Sequence, residues 1–536
     1  MIAQVLALDT EKGEEMGLAE ALVNVGLADI RPYGYLRFDP ALALALRGEL
    51  GDGAWSMAEA EWGKAMAQFT DFLCEQRTQD AQHAQTLAAL DLANLVAALE
   101  VCYRTALEAT TLPADSPLVA VSFDVLVETA TRLEQLLAPL SRVRTLARVV
   151  RVGQCAGQRL GEWCHSRYLI ESATIGRLLA AGCCSAAVDA ARHLLERALQ
   201  AGRSKYPEAD GDLAMCQFYL GRALSMSGGA AEALAWLVNA EEHFAHLAAG
   251  CDANAARMAS VCLADQADCL RDLGRLDDAA RAYEKAISDG ERRGDRRSVA
   301  VGKFQLGSLR LLQQRYPESL AASHDARRTF IQLGERASVA SAWHQIGMVH
   351  RDCGEHAAAE DAYKQSLTIK AQSSDRAGEA ATLGELGILY ADIGRAEDAV
   401  SFSRQAAAIY ADQRVADLAG EGRQRSNAAN DLIKLGRLAE ARSELLRALD
   451  CNKSFGDRAQ PWMTFDILSD LERAEGNDQA AAEARQQAIA AYLAYRRAGG
   501  ENQSGRPTDR HCAAVAHAIN NANRSEVASL TTSPEA

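Results

Sequence analysis

Proline is almost missing from the middle of this 536-residue chain: between Pro139 and Pro461 only Pro207 and Pro317 occur. Proline breaks helix interiors but punctuates turn-rich β folds, so its scarcity argues against a chain of short strands. Aromatic residues make up only 6% of the sequence, and alanine and leucine dominate. A chain of this length holds several globular domains or one extended array whose units pack only on their neighbours. The composition favours the array, with a helical centre.

Basic charge is also short. Lys and Arg number 57 against 72 Asp and Glu, a formal net charge of -15, which excludes a general nucleic-acid binder and an anionic membrane surface as partners. No stretch approaches the roughly 20 uninterrupted apolar residues of a spanning helix. The N-terminus, MIAQVLALDTEKGEE, carries no Lys or Arg ahead of its apolar run and no small-residue cleavage site. It does not read as a signal peptide, and a cytoplasmic location is expected. The 13 cysteines are scattered, with Cys183 and Cys184 adjacent and no C-x-x-C. That excludes a disulfide framework and a zinc site, and leaves buried small hydrophobes as their expected role. A phosphate-binding G-x-x-x-x-G-K-[ST] loop is missing too. The two Gly-Lys pairs, Gly63-Lys64 and Gly302-Lys303, have Ala58 and Arg297 where the first glycine belongs.

What is present in quantity is a repeat. A small residue recurs as Ala267, Gly307, Gly347, Gly387, Ala429 and Ser469, at intervals of about 40 residues. A turn residue follows each one, at Gly274, Gln314, Gly354, Gly394, Gly436 and Gly476. Further small residues then appear at Ala279, Ser319, Ala359, Ala399, Ala441 and Ala481, and again at Ala286, Ala326, Ser366, Ala406, Ala448 and Ala488. An interior glycine costs a helix roughly 1 kcal/mol against alanine, so something must need these positions to be small. The expected reason is that two antiparallel helices cross there, and that each turn glycine is a left-handed C-cap. Pro317 is expected at the first position of its helix, and Asp277, Asp278, Glu318, Glu397 and Asp398 at helix N-termini, where the dipole favours acid. Less regular units centre on Gly176 and on Gly221 with its turn at Gly228, giving eight over residues 160–497.

With Trp343, Ile346 and Gly347, and again Leu383, Leu386 and Gly387, the units resemble the tetratricopeptide repeat (TPR) in a long variety. Lys303 and Arg425 depart from its bulky slot, and Ser403 and Arg485 from its aromatic one. The resemblance implies an all-α, right-handed superhelical solenoid. The connectors carry a second pattern, acid then arginine, at Asp295-Arg296, Glu335-Arg336, Asp375-Arg376 and Asp457-Arg458. These are either solvated turns or contacts that stitch adjacent units.

The N-terminal part differs. A helix is expected to end near Gly26, extended runs at Leu27 to Ile30 and Tyr35 to Phe38 flank RPYG, and a helix starts at or after Pro40. This suggests a winged-helix remnant over 1–50, then helical hairpins over 51–159, the repeats over 160–497 and a flexible tail over 498–536. The order GYLRFDPAL, LDLANL, repeats and YRRAGGENQ resembles the C-terminal half of bacterial signal-transduction ATPases of the STAND type. In that family the repeats act as sensor behind a nucleotide-binding module, for which this sequence has no motif.

Candidate chemistry is sparse. His243 and His246 follow Glu241 and Glu242 without a third metal ligand, a pattern usual for a wet helix face, and Cys512 lies between His511 and His517 without an orienting acid. No cofactor, metal or catalytic residue is expected, and an enzyme is the runner-up class. The expected function is a non-enzymatic scaffold or sensor that binds a peptide or protein. The alternative is the sensor part of a STAND ATPase that oligomerises on ligand binding through its N-terminal region. By the TPR resemblance, residues three before and one after each small position face a concave groove: Phe304 and Ser308, His344 and Met348, Gly384 and Ile388, Ser426 and Asn430, Asp466 and Asp470. One turn on lie Arg271, Leu311, Arg351, Ile433 and Arg473. His344, Met348, Arg351 and Asn430 would hold an extended peptide by its backbone and an acidic group, Arg pairing bidentately. A merely solvated groove face is the other reading of the same residues.

Overall fold

A computed structural model of the chain describes residues 14–25, 28–30, 36–38, 40–79, 81–110, 121–138, 143–250, 252–373, 375–453 and 461–497. It forms two compact units, Met1–Ser227 and Gly228–Ala536.

In the first unit α1 (Glu14–Asn24) leads into β1 (Ala28–Ile30), which pairs antiparallel with β2 (Leu36–Phe38), Ala28 opposite Phe38. The next helix, α2 (Pro40–Gln79), starts at the proline itself and kinks at Gly51, whose φ is 72°. There follow α3 (Ala81–Leu90), α4 (Leu92–Ala109), α5 (Phe123–Leu137), α6 (Val143–Gly157), α7 (His165–Ala180), α8 (Cys184–Ala201) and α9 (Ala209–Met226). Helices α2 to α6 close on one apolar core built on Met66, Leu73, Leu99, Leu126, Leu133 and Val149. At Gly176, in α7, a side chain would meet nothing within 4 Å. The close crossing expected from its small size is therefore not formed there.

The second unit begins with α10 (Ala230–Ala248) and continues as six helical hairpins: α11 (Ala253–Asp272) with α12 (Leu276–Arg293), α13 (Arg296–Leu312) with α14 (Tyr316–Gln332), α15 (Arg336–Asp352) with α16 (His356–Gln372), α17 (Arg376–Asp392) with α18 (Ala396–Ala411), α19 (Leu418–Lys434) with α20 (Leu438–Asn452), and α21 (Pro461–Ala474) with α22 (Asp478–Arg497). It is an all-α repeat solenoid. Each crossing is close because one partner is small: a Cβ on Gly347 would stand 2.6 Å from the Tyr363 ring, and one on Gly387 2.7 Å from Ser403 Oγ.

Inside each hairpin the turn closes with one pair of hydrogen bonds. The Arg275 N–H donates to the Leu270 carbonyl at 2.8 Å and the Gly274 N–H to the Arg271 carbonyl at 2.9 Å, the paired bonds that satisfy the last carbonyls of a helix when the next residue is left-handed. Arg395 and Arg437 repeat the first bond onto Tyr390 and Leu432. Gly274, Gly354, Gly394, Gly436 and Gly476 all take positive φ, and so does Gln314, at 59°. A side chain costs about 1 kcal/mol or more in that conformation, so Gln314→Gly is expected to stabilise the unit by about 1 kcal/mol. A urea midpoint unchanged or lowered by the substitution would contradict this.

The helix starts differ from expectation in two details. Pro317 is the second residue of α14, behind Tyr316. Two of the recurrent connector acids are caps, Asp295 accepting from Ser298 N–H and Asp375 from Gly378 N–H, each at 3.0 Å, while Glu335 accepts from the Ser338 hydroxyl at 2.9 Å. Asp417 likewise accepts from Gly420 N–H at 2.9 Å, outside the acid–arginine pattern. Of the arginines, Arg296 bonds Gln332 and Arg336 bonds Gln372 within their own hairpins. Arg297 stitches to Glu335 of the next hairpin at 2.6 Å. Asp457 and Arg458 lie outside the described residues.

Where the repeat lacks its usual apolar residues, charge fills the slot. Arg425 pairs with Glu421 at 2.8 Å and Glu444 at 2.7 Å, Arg485 pairs with the fully buried Asp466, and Lys303 lies 3.5 Å from Glu291. The first helices of successive hairpins touch, as where Gln345 Nε2 donates to the Phe304 carbonyl at 3.2 Å. Second helices reach each other through long side chains, as Arg404 does to Glu440 and Glu444. The first helices therefore line the inner side of the array.

Candidate inner-face binding site

One residue in each of the last five hairpins, just after the small position, lies half-buried on this inner side: Ser308, Met348, Ile388, Asn430 and Asp470. The first four are polar or apolar without charge. Met348 packs against the apolar cluster that contains Tyr363, Leu386 and Leu389, while Asn430 makes no hydrogen bond to any other described residue. Asp470 accepts from Arg473 at 3.0 Å, so these two expected positions form a local pair.

Arginine is spent rather than presented. Arg271 bonds Asp268 at 2.6 Å and Asp272 at 3.0 Å. Arg351, with only 16% of its side chain exposed, bonds Glu385 of the next first helix and Asp352 at 3.3 Å. Burial alone would weaken its charge, but Glu385 and then Asp352 more than offset this and hold the guanidinium protonated. The expected free, bidentate arginine for an acidic ligand group is not on the surface.

The positions three before the small residue pack against their own or the next hairpin, and Asp466 pairs with Arg485 of its own. Phe304 packs on Ala326, Phe330 and Val339. His344 sits 3.2 Å from Thr382 Oγ1 and edge-on to Tyr363, with ring centroids 5.7 Å apart. Burial first, then Lys370 and Arg351, push its imidazole down to about 3, so it is neutral at pH 7. Ser426 is buried and lies 3.0 Å from Thr464 Oγ1. At Gly384 the space of the absent side chain is taken by the Gln424 carboxamide.

These contacts form a pattern that sequence inspection of single repeats missed. Thr382 receives Lys370 Nζ at 2.9 Å, gives its own proton to the Gly378 carbonyl at 3.0 Å and stands beside His344. Thr464 receives Asn452 Nδ2 at 3.1 Å and stands beside Ser426. The two nodes occupy the same register two hairpins apart. At the seam between them stand Gly384, Tyr410 and Gln424, and at the seam before them Phe304, Phe330 and Ala342. The legible signal was Lys370, a lysine in a slot held by Phe330, Tyr410 and Tyr492 in three other hairpins. Burial lowers its pKa, yet its ammonium has the threonine hydroxyl as acceptor.

His243 is 8% exposed, a buried residue and not a wet helix face, and among the described residues no group of three His, Cys, Asp or Glu could hold a metal ion. Cys512, His511 and His517 lie outside the described residues. In the first unit His165 and Tyr206 both bond Asp212, at 2.8 and 2.9 Å, tying the segment before α9 to the start of α7. No single described helix is long and apolar enough to cross a membrane.

Residues 295–372 and 338–412 match the family model described as tetratricopeptide repeat. No curated protein matches the sequence at a significant level. Among solved structures, a STAND protein with a tetratricopeptide repeat sensor from Pyrococcus horikoshii is similar at 14% identity and a TM-score of 0.48, over 70% of this chain and 54% of its own. The chain thus spans about half the length of that protein. A Rap protein complexed with Competence and Sporulation Factor matches at 13% identity and a TM-score of 0.46, over 69% of this chain and 98% of its own. The apo quorum sensor NprR from B. thuringiensis matches at 12% identity and a TM-score of 0.45, over 68% and 98%.

Proposed function

We propose that this chain, whose residues 295–412 are tetratricopeptide repeats, is a non-catalytic binding module that takes an extended segment of a partner protein or peptide along its inner face. The observation that carries this reading is the row Met348, Ile388 and Asn430, one half-exposed side chain on each of α15, α17 and α19. Two apolar side chains in a row with an amide whose hydrogen bonds are unspent suit a peptide: the apolar pair covers side-chain surface, and the amide both donates to and accepts from a backbone. The array needs no further chemistry to do this. Its rigid hairpins set the spacing between contacts, so ordering falls on the ligand alone.

The test is photo-crosslinking with the intact chain in extract of its source cells. A benzophenone amino acid replaces Met348 or Asn430 in one pair of proteins and the exposed Leu446 of second helix α20 in a control. Crosslinks to the same partner from both inner positions and none from Leu446 are expected. Equal labelling from all three positions, or from Leu446 alone, would reject an inner-face site.

A further inference from the structure

Charged residues in the apolar slots of the array find counterions, as Arg425, Arg485 and Lys303 do. Arg327 of α14 finds none among the described residues. Its register is held by Ile287, Leu367, Ala407, Leu449 and Ile489 in the other five hairpins. The guanidinium lies on the Trp343 ring of α15, its Cζ 4.1 Å from the ring centroid. Its Nε is buried, which anchors the group in the seam, and the side chain makes no hydrogen bond or ion pair with any described residue. Burial, then the neighbouring Arg328, disfavour its charge, and no carboxylate offsets them. Two other arginines stacked on aromatic rings do have one. Arg197, over Trp163, pairs with Glu171, and Arg395, over Tyr390, pairs with Asp398 at 2.7 Å.

The joint one hairpin earlier shows what has been lost. There Arg310 of α13 stands between Glu284 at 2.6 Å and Glu318 at 3.4 Å. One repeat on, the same three registers hold His350, His324 and Ala358. Both carboxylates are gone. His324, one turn before Arg327 on the same face of α14, lies within electrostatic reach of Arg327, His350 and Arg328. Its ring has no hydrogen-bond partner among the described residues either. The acids nearby are engaged, Asp325 with Arg328 and Glu355 with His350 at 2.6 Å.

Stacking on indole fixes the plane of a guanidinium without using its N–H fork, and that fork matches the oxygens of an anion bidentately. We propose that the joint between α14 and α15 is a phosphate-binding site, with the Nη nitrogens of Arg327 on two phosphate oxygens and the His324 imidazole donating to a third. A phosphate group suits this donor set because it brings three acceptor oxygens and nearly two negative charges to a place where two carboxylates are replaced. Trp343 and His350 leave α15 on a different face from Met348, so the site does not depend on the inner-face reading. A free phosphate and a phosphorylated side chain of a partner share this chemistry, and the test separates them.

The experiment is isothermal titration calorimetry of the intact chain at neutral pH and constant ionic strength, with inorganic phosphate, a phosphoserine peptide, the same peptide unphosphorylated, and acetate as probes. The two phosphate probes are expected to bind, and the other two to bind at least about tenfold more weakly. Arg327→Leu places in the slot the residue type that Leu367 and Leu449 already supply there, so the variant is expected to fold and to lose at least about tenfold in phosphate affinity. His324→Ala is expected to lose severalfold. Urea midpoints give a second reading, since phosphate should raise that of the parent and leave that of Arg327→Leu unchanged. A phosphopeptide at least about tenfold tighter than inorganic phosphate would support a phosphorylated partner as the source, and equal affinities would support free phosphate at the same site. Phosphate affinity unaltered in Arg327→Leu, acetate bound as well as phosphate, or no phosphate binding by the parent would overturn the proposal.

Discussion

Glu421→Ala is expected to lower the stability of the second unit by about 3 kcal/mol. Glu421 is fully buried and accepts from Arg425 Nε at 2.8 Å and from Arg447 Nε and Nη2 at 3.0 and 3.1 Å. Arg425 turns its other end to Glu444, which also takes Arg404 at 2.7 Å, and Arg404 continues to Glu440. The charges alternate in sign across α18, α19 and α20. Removing the most buried member leaves Arg425 with Glu444 alone and Arg447 with the exposed Asp450 alone, and breaking a buried pair on one side is worth roughly 3–5 kcal/mol. The lower figure applies because 44% of the Arg447 side chain is exposed.

The same group sets an acid limit. Burial would raise the Glu421 pKa, but hydrogen bonds from Arg447 and Arg425 outweigh it and hold the carboxyl below the usual range. A carboxyl with a depressed folded-state pKa contributes stability above its unfolded value of about 4.3, and loses it as pH falls through the lower folded value. Urea midpoints of the parent protein should therefore drop below about pH 4, and those of Glu421→Gln should drop less. A Glu421→Ala midpoint at pH 7 equal to that of the parent would show that the network contributes nothing.

Gly347→Leu is expected to destabilise the unit by about 3 kcal/mol, the upper part of the range for overpacking. Even a Cβ there would stand 2.6 Å from two atoms of Tyr363, which is itself fully buried. Gly347→Ala should be nearly neutral, since Ala267 and Tyr283 hold the same register in α11 and α12, both completely buried. The backbone thus accommodates one methyl group, and the helix gains roughly 1 kcal/mol over glycine. Equal midpoints for the leucine and alanine variants would refute a close crossing at Gly347.

The sequence made the hairpins legible because their signal is local. A small residue, a left-handed turn and a second small residue repeat within each unit, and the positive φ of Gly274, Gly354, Gly394 and Gly436 is where that pattern places it. Gln314 was legible as well, because the register holds even where the residue type fails. The inner face was legible only as a list of positions. Whether Arg351 is free depends on Glu385, in the next repeat, and whether Gly384 is open depends on Gln424, another repeat along. A repeat read by itself shows which way a side chain leaves its helix. It does not show what waits there. Gly176 errs the other way, small without a neighbour to require it.

The threonine nodes bear on how such an array lengthens or shrinks. Thr382 and Thr464 each meet a polar pair from the preceding hairpin, His344 with Lys370 and Ser426 with Asn452. Loss of the α17–α18 hairpin alone would set Lys370 against Gln424, and the ammonium would lose its hydroxyl. Loss of both hairpins from α17 to α20 would set it against Thr464, an identical acceptor in an identical register. The joints between hairpins thus alternate, a threonine hydroxyl receiving the preceding hairpin's donor at every second joint.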